Sequence, residues 1–300
     1  MYLYETHCHC SQCSACGRST SRELVRGYKA AGYAGLVLTD HFIFGNTAVD
    51  RSLPWEEQMR CFYNAYLEAK EEGDKLDFDV IFAIEHAYGA GKEVLLYGID
   101  LAFLLNNSDL PRISFEELTR RVRDYGGVVI MAHPYRDRSY VDMSVQPREE
   151  LLDGIELYNA CNDPGEDLQA MALAERNPHY ILTSGGDIHY SADHRIGAAG
   201  LWFDRRIHDE KELAAALKER KHHLLLHKLP GHSRLLLHLH VPYCLQLLQL
   251  QKQNRRLLRI TRLYLRLLQG AHLVIYRGLL IQSLQVFLRY RPGSLSYQLK

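Results

Sequence analysis

The chain has 300 residues, 47% hydrophobic and 24% charged, which excludes a wholly disordered or fibrous protein and leaves room for one large domain or two ordinary ones. Its formal net charge of +0 conceals a split. Of the 36 basic side chains, 13 fall in residues 221–300, where Asp and Glu are absent, leaving 23 against 36 acidic ones, net −13, in residues 1–220.

Residues 1–220 alternate between two patterns. Short β-type runs cover 2–5, 35–39, 78–84, 94–98, 128–132, 154–157, 180–183 and 199–203. Helix-type stretches cover 21–31, 55–72, 114–125, 167–175 and 209–219. Ser21 ahead of Glu23, Pro54 at a first turn, and Ser114 with Glu117 as a capping box supply entry signals. Such alternation predicts an α/β fold with a largely parallel sheet. No stretch reaches the ~18 consecutive apolar residues of a membrane span. Residues 1–5 carry no export signal. Seven cysteines, four of them within residues 8–16, make a poor disulfide framework, which predicts a reducing, cytoplasmic setting.

Polar residues gather where the β-type runs end. His7 and His9 follow the first, Asp40 and His41 the second, Glu85 and His86 the third; His133, Glu156, Asp187 and His189 close later ones. In a parallel α/β barrel the strand C-termini open on one face, so residues scattered in sequence become neighbours. His7 and His9, two apart on an extended segment, point to one side. Imidazoles and carboxylates suit Zn, Mn or Fe. Two metals about 3.5–4 Å apart need a bridging carboxylate and can activate a water against phosphorus; Glu85 is the candidate bridge.

Five ordered motifs carry a resemblance. Tyr4-Glu-Thr-His-Cys-His9, Leu38-Thr-Asp-His41, Ile84-Glu85, Ala132-His-Pro-Tyr-Arg136 and Ser184-Gly-Gly-Asp-Ile-His189 resemble the PHP family, named for its polymerase and histidinol phosphatase members. The resemblance covers residues 1–226. It implies a distorted (β/α)7 barrel, TIM-like, holding two or at most three divalent ions (Mn, Fe or Zn) and hydrolysing phosphate esters by metal-activated hydroxide. It also implies that His7, His9, His41, Glu85, His133, Asp187 and His189 are the metal ligands. Two departures from the fuller three-metal pattern favour two ions: no histidine lies in residues 11–16 or 91–95. The motif near Asp187 usually has Ser where Gly186 stands, a change that costs one hydroxyl.

The catalytic set expected is Glu85 and Asp187 with Arg136 and Arg195, whose planar forks match phosphate oxygens, although both arginines also read as surface residues. Asp40 and His86 read either as residues that orient ligands or as plain turn residues. Glu156 either points into the site or braces it. Cys8, Cys10, Cys13 and Cys16 have the spacing of a zinc or iron–sulfur motif, but Cys8 and Cys10 face away from the histidines, so packing is the expected role.

Residues 227–300 form a basic tail unlike the family. Residues 221–300 contain 25 Leu, 9 Arg, 8 Gln, 7 His and 3 Pro, all residues with codons that begin with C. The absent acidic residues have codons that begin GA. That is the signature of translation out of frame, and a frameshift near residues 221–229 is the leading reading. The rival is a basic module, with Arg255, Arg259, Arg262 and Arg266 on one helical face, suited to nucleic acid or a membrane surface. The expected activity is metal-dependent hydrolysis of a phosphomonoester, a nucleotide or a short oligonucleotide. The alternatives are a catalytically silent PHP module and binding of nucleic acid or lipid by the tail.

Overall fold

A computed structural model describes residues 1–226; the Arg255–Arg266 pattern, the His238–His240 pair and the rest of the basic tail lie outside the described residues. Ten strands form two five-stranded sheets. The first contains β1 (Tyr2–Cys8), β2 (Gly35–Leu38), β3 (Asp79–Phe82), β9 (Gly200–Phe203) and β10 (His223–Leu225), in the order β10-β9-β1-β2-β3. The second contains β4 (Ile84–Gly89), β5 (Lys92–Tyr97), β6 (Val128–Met131), β7 (Gly154–Asn159) and β8 (Ile181–Gly185), in sequential order.

The pairing is mixed where a largely parallel sheet was expected. The β1–β2, β2–β3, β6–β7 and β7–β8 pairs are parallel, whereas β1–β9, β9–β10, β4–β5 and β5–β6 are antiparallel. The run expected over 78–84 breaks at Ala83, and its continuation β4 turns back on itself as a hairpin. Gly89, Ala90 and Gly91 all adopt positive φ at that turn, a conformation that glycine adopts without a steric penalty.

Two seams join the sheets. His41, just past β2, bridges in parallel to Glu85 in β4, and Cys8 bridges to Ile188 beyond β8. Backbone bonds from Glu85 N to Asp40 O (3.0 Å) and from Phe42 N to Glu85 O (2.7 Å) close the first seam. From His9 N to Ile188 O (2.9 Å) runs the second. The motif-bearing strand ends are therefore brought together by main-chain hydrogen bonds.

Helices cover the outer faces. α1 (Ser21–Ala30) and α2 (Trp55–Lys75) pack on β2 and β3; α4 (Phe115–Tyr125), α5 (Pro164–Arg176) and α6 (Glu210–Lys218) pack on β6, β7 and β5. The cap of α1 is Thr20, one residue before the expected Ser21, and it forms a full capping box with Glu23. Leu24, Val25 and Tyr28 make its buried stripe, each contributing roughly 1.5–3 kcal/mol by leaving water. A short helix α3 (Leu101–Asn106), capped by Asp100, was not expected from the sequence. All six cysteines among the described residues are free thiols. No helix among the described residues is long and apolar enough to cross a membrane.

Candidate metal centre

The seven expected ligands converge at the seams. Glu85, fully buried in β4, is the hub. Its Oε1 stands 3.2 Å from His7 Nε2 and 3.1 Å from His133 Nε2; its Oε2 stands 2.7 Å from His41 Nδ1 and 3.6 Å from His9 Nε2. Each oxygen of one carboxylate thus faces two imidazoles. Asp187 Oδ1 lies 3.1 Å from His9 Nε2 and 3.5 Å from His7 Nε2. His189 stacks on His9 with ring centroids 4.3 Å apart. His133 and Asp187 both adopt positive φ, 28° and 53°, backbone that a non-glycine residue adopts only at a cost and that clusters at functional sites.

Hydrogen-bond accounting sets the imidazole tautomers. Ser14 Oγ gives its single proton to Asp40 Oδ1 (2.8 Å) and accepts from His41 N (3.0 Å), so its contact with His9 Nδ1 (3.3 Å) has the imidazole as donor. His189 Nδ1 faces the carbonyl of Asp187 at 2.9 Å and must also donate. His7 Nδ1 lies 3.1 Å from Glu156 Oε1, a carboxylate–imidazole contact of the kind that orients metal-binding histidines. The opposite nitrogens, Nε2 of His7, His9 and His189, are buried without a hydrogen-bond partner, as are His41 Nδ1 and Glu85 Oε2. Buried polar atoms are rarely left unpaired. Here the unpaired atoms are ring nitrogens and a carboxylate oxygen aimed at one another, a donor set that fits divalent cations. Donor atoms within 4.8 Å of one another form the groups His7–His9–Glu85, His7–His133–Asp187, His41–Glu85–Glu93 and His9–His41–His189.

Electrostatics agree with a shared carboxylate. Burial raises the Glu85 carboxyl, but His7, His41 and His133 around it hold it well below the usual range. Burial likewise opposes ionisation of Asp187, and Arg136 with His7 more than offsets it. His9, desolvated and beside His41 and His189, is pushed well down and stays neutral. The Cys16 thiol is raised by burial but lowered further by His189 and His41, to about 6. A cavity of about 900 Å3 opens on this cluster, with His41, Glu93, Asp187 and His189 in its wall.

No protein-family model and no curated protein sequence matches the chain. Among solved structures, a two-domain protein from Bacteroides vulgatus ATCC 8482 containing a predicted PHP-like metal-dependent phosphoesterase superposes with a TM-score of 0.55 at 16% identity. The match covers 75% of this chain and 65% of that one. The chain has a PHP-like fold. It spans just under two thirds of that two-domain protein. A protein of Bifidobacterium adolescentis ATCC 15703, proposed to be a metal-dependent phosphoesterase, gives a TM-score of 0.46 at 15% identity over 71% of this chain and 95% of its own. Endonuclease Q, bound to a 27-mer duplex with an abasic lesion at the active site, gives 0.48 at 12% over 73% and 56%.

Within the PHP-like fold the other sequence expectations take definite places. Glu156 braces: it holds His7, accepts from His133 N (3.0 Å) and from Asn159 Nδ2 (2.8 Å). Asp40 also braces, accepting from Cys10 N, Cys10 Sγ and Ser14 Oγ. Arg136 is buried, its guanidinium shared among Asp187, Asn159 and Asn162. Arg195 pairs bidentately with Asp193 and is not among the residues lining the cavity. His86 faces Phe42 and Phe44 and is not among those donor groups. Cys8 bonds to Val37 O, while Cys10 and Cys13 sit with Asp40 as a buried group of their own.

Two carboxylates escaped the sequence reading. Glu93 lies in the stretch 91–95 where no histidine was found, yet its oxygens stand 3.4 Å from His41 Nδ1 and 3.6 Å from His133 Nε2. The hairpin register pairs Ala87 with Glu93 and Glu85 with Leu95, placing both glutamates on one face; the Gly89–Gly91 turn was the available signal. Glu5 accepts from Thr6 N, His7 N and Gly186 N through one oxygen. Burial pushes its carboxyl up to about 7. A Cβ at Gly186 would come 2.7 Å from Glu5 Oε2, so glycine there is a fit to Glu5 as well as the loss of a hydroxyl.

Proposed function

We propose that residues 1–226 form a metal-dependent phosphoesterase domain, whose two sheets are the halves of a distorted (β/α)7 barrel and whose substrate is a phosphomonoester, nucleotide or short oligonucleotide. The observation that carries the reading is the Glu85 carboxylate facing four imidazoles, with unpaired nitrogens on His7, His9, His41 and His189 around it. His7, His9, His41, Glu85, Glu93, His133, Asp187 and His189 would hold two divalent ions, with Glu85 shared. Bound there, divalent ions supply Lewis acidity to a phosphoryl oxygen and lower the pKa of water.

The chain's own residues prepare that chemistry. Glu156, Ser14 and the Asp187 carbonyl keep Nδ1 protons on His7, His9 and His189, so that Nε2 is free to ligate. Arg136 holds Asp187 ionised and fixes its orientation. Arg195, whose pair with Asp193 is part-exposed, is the cation proposed to meet the incoming phosphate. The six free thiols among the described residues suit a reducing cytoplasm.

The test is elemental analysis and a phosphoester panel on the full chain loaded with Mn, Fe or Zn. Two ions per chain and turnover of a generic phosphomonoester are expected. Two ions without turnover of any ester would favour a silent binding module. Unimpaired hydrolysis by a His7→Ala, His9→Ala double variant would remove this site from consideration.

A further inference from the structure

The loop that follows β6 is pinned where it runs along the cavity wall. At its base, Asp137 N (2.8 Å) and Arg138 Nη1 (2.6 Å) both donate to Glu166 Oε1 in α5. Further along, Val141 N closes a turn on Arg138 O (2.9 Å), and Asp142 N donates to Ala90 O at the turn between β4 and β5 (2.9 Å). Gly91, next in that turn, packs against the loop. A Cβ there would run into the Tyr140 carbonyl and lie 2.8 Å from Val141 Cα. Tyr140 is therefore held between two fixed points, beside the strand β5 that also carries Glu93.

Packing does not account for Tyr140 in that place. The residue is 60% exposed, yet it lines the cavity together with Arg136, Glu93 and Asp187. Its hydroxyl lies within hydrogen-bonding reach of Arg136 and feels the charges of Glu93 and Asp187. A guanidinium has no lone pair to offer, so in that contact Arg136 donates and the phenolic oxygen accepts. The phenolic proton is left for another acceptor. Partial desolvation raises the hydroxyl above its ordinary range, with Arg136 opposing, so the proton is retained at neutral pH. The guanidinium that accompanies it would in turn stabilise a phenolate.

The donor cluster fixes the direction of the reaction. In an in-line displacement the attacking and leaving oxygens lie on opposite sides of phosphorus. Water attacks from the buried side, where Glu85 and its imidazoles lie, so the leaving oxygen faces the open side on which Tyr140 stands.

We propose that Tyr140 is the general acid of the reaction, giving its phenolic proton to the oxygen of the departing alcohol. The proposal rests on the phosphoesterase reading and adds a catalytic residue to it. The P–O bond to the alcohol breaks with its electron pair on that oxygen, and the Tyr140 proton forms the new O–H bond. Phosphorus gains its oxygen from water, which releases one proton to solvent. The phenolate, held beside Arg136, takes one back.

The test compares two esters on the metal-loaded full chain and on its Tyr140→Phe variant. 4-Nitrophenyl phosphate releases a phenolate that is stable without a proton, whereas benzyl phosphate releases an alkoxide that needs one. Tyr140→Phe should lower kcat/KM for benzyl phosphate by at least about 10²-fold and that for 4-nitrophenyl phosphate by less than about threefold, with metal content unchanged. A second readout needs no turnover: inorganic phosphate should protect Tyr140 from nitration by tetranitromethane, measured by peptide mass spectrometry. Equal losses for the two esters, or a loss for neither, would assign the proton to another group and leave the phosphoesterase standing. Full nitration of Tyr140 at a phosphate concentration that inhibits turnover would likewise remove this residue from the reaction. Hydrolysis of neither ester by the wild type would overturn the phosphoesterase reading and this proposal with it.

Discussion

The two sheets contribute different chemistry to the same centre. The first delivers imidazoles: His7 and His9 at the end of β1 and His41 just past β2. The second delivers most of the carboxylates, Glu85, Glu93 and the bracing Glu156 from within strands, with Asp187, His133 and His189 on the segments that follow β6 and β8. Three of the five imidazoles thus sit on one side of the seams, and all three candidate carboxylate ligands on the other. A site built this way depends on the seams: each of the donor groups that contain His7, His9 or His41 together with a carboxylate draws on both sheets.

The sharpest way to break this division is at the residue both sides share. Glu85→Gln should lower phosphoester turnover by at least about 10³-fold and reduce the bound metal, read by steady-state kinetics and elemental analysis. Wild-type metal content with wild-type turnover would show that Glu85 is not the meeting point.

Next in size is a contact running from the first sheet to the loop after β8. The Glu5 carboxyl is raised from 4.5 to about 7 in the folded chain. The stabilisation from burying it neutral is complete below pH 4.5 and is lost as pH rises through about 7, a cost of about 3 kcal/mol. In urea unfolding of the metal-free chain at pH 5 and pH 8, Glu5→Gln should therefore show a smaller loss of stability than the wild type. An unchanged loss would mean that Glu5 does not titrate in that window.

Glu93→Gln probes whether the second sheet's share extends beyond Glu85. It should weaken metal affinity by roughly 10–100-fold, measured by competition with a chelator. The mildest effect is expected at Ser14→Ala, which removes the acceptor that keeps the proton on His9 Nδ1. A loss of about tenfold in metal affinity with the fold intact is the expected result; unaltered affinity would show that His9 holds its tautomer without help.

How much of this was legible in the sequence follows the same division. Donors at or just past strand ends, such as His41, His133 and Asp187, lie in short motifs whose backbone context is local, so reading them in order pointed to seven side chains that the fold brings together. Glu93 was not legible in that way, because its place depends on the antiparallel register of β4 and β5, which reverses at a two-residue turn, Ala90 and Gly91. The mixed pairing was missed for a related reason: alternation of strand-like and helix-like runs does not say which strands become neighbours. The roles of Glu156 and Asp40 were open in the sequence because a carboxylate near a site can face it or support it. Distance to Nδ1 of His7, or to Ser14 Oγ, decides the matter, and distance is a tertiary property. The tail pattern rests on residues outside those described.

The close packing of Gly186 against Glu5 has an evolutionary corollary. The two positions form a lock in which each restricts what the other can become. A relative that carries serine at 186 would be expected to differ at 5 or 188, and a chain engineered to restore that serine alone must shift the ends of both Glu5 and Ile188 to make room.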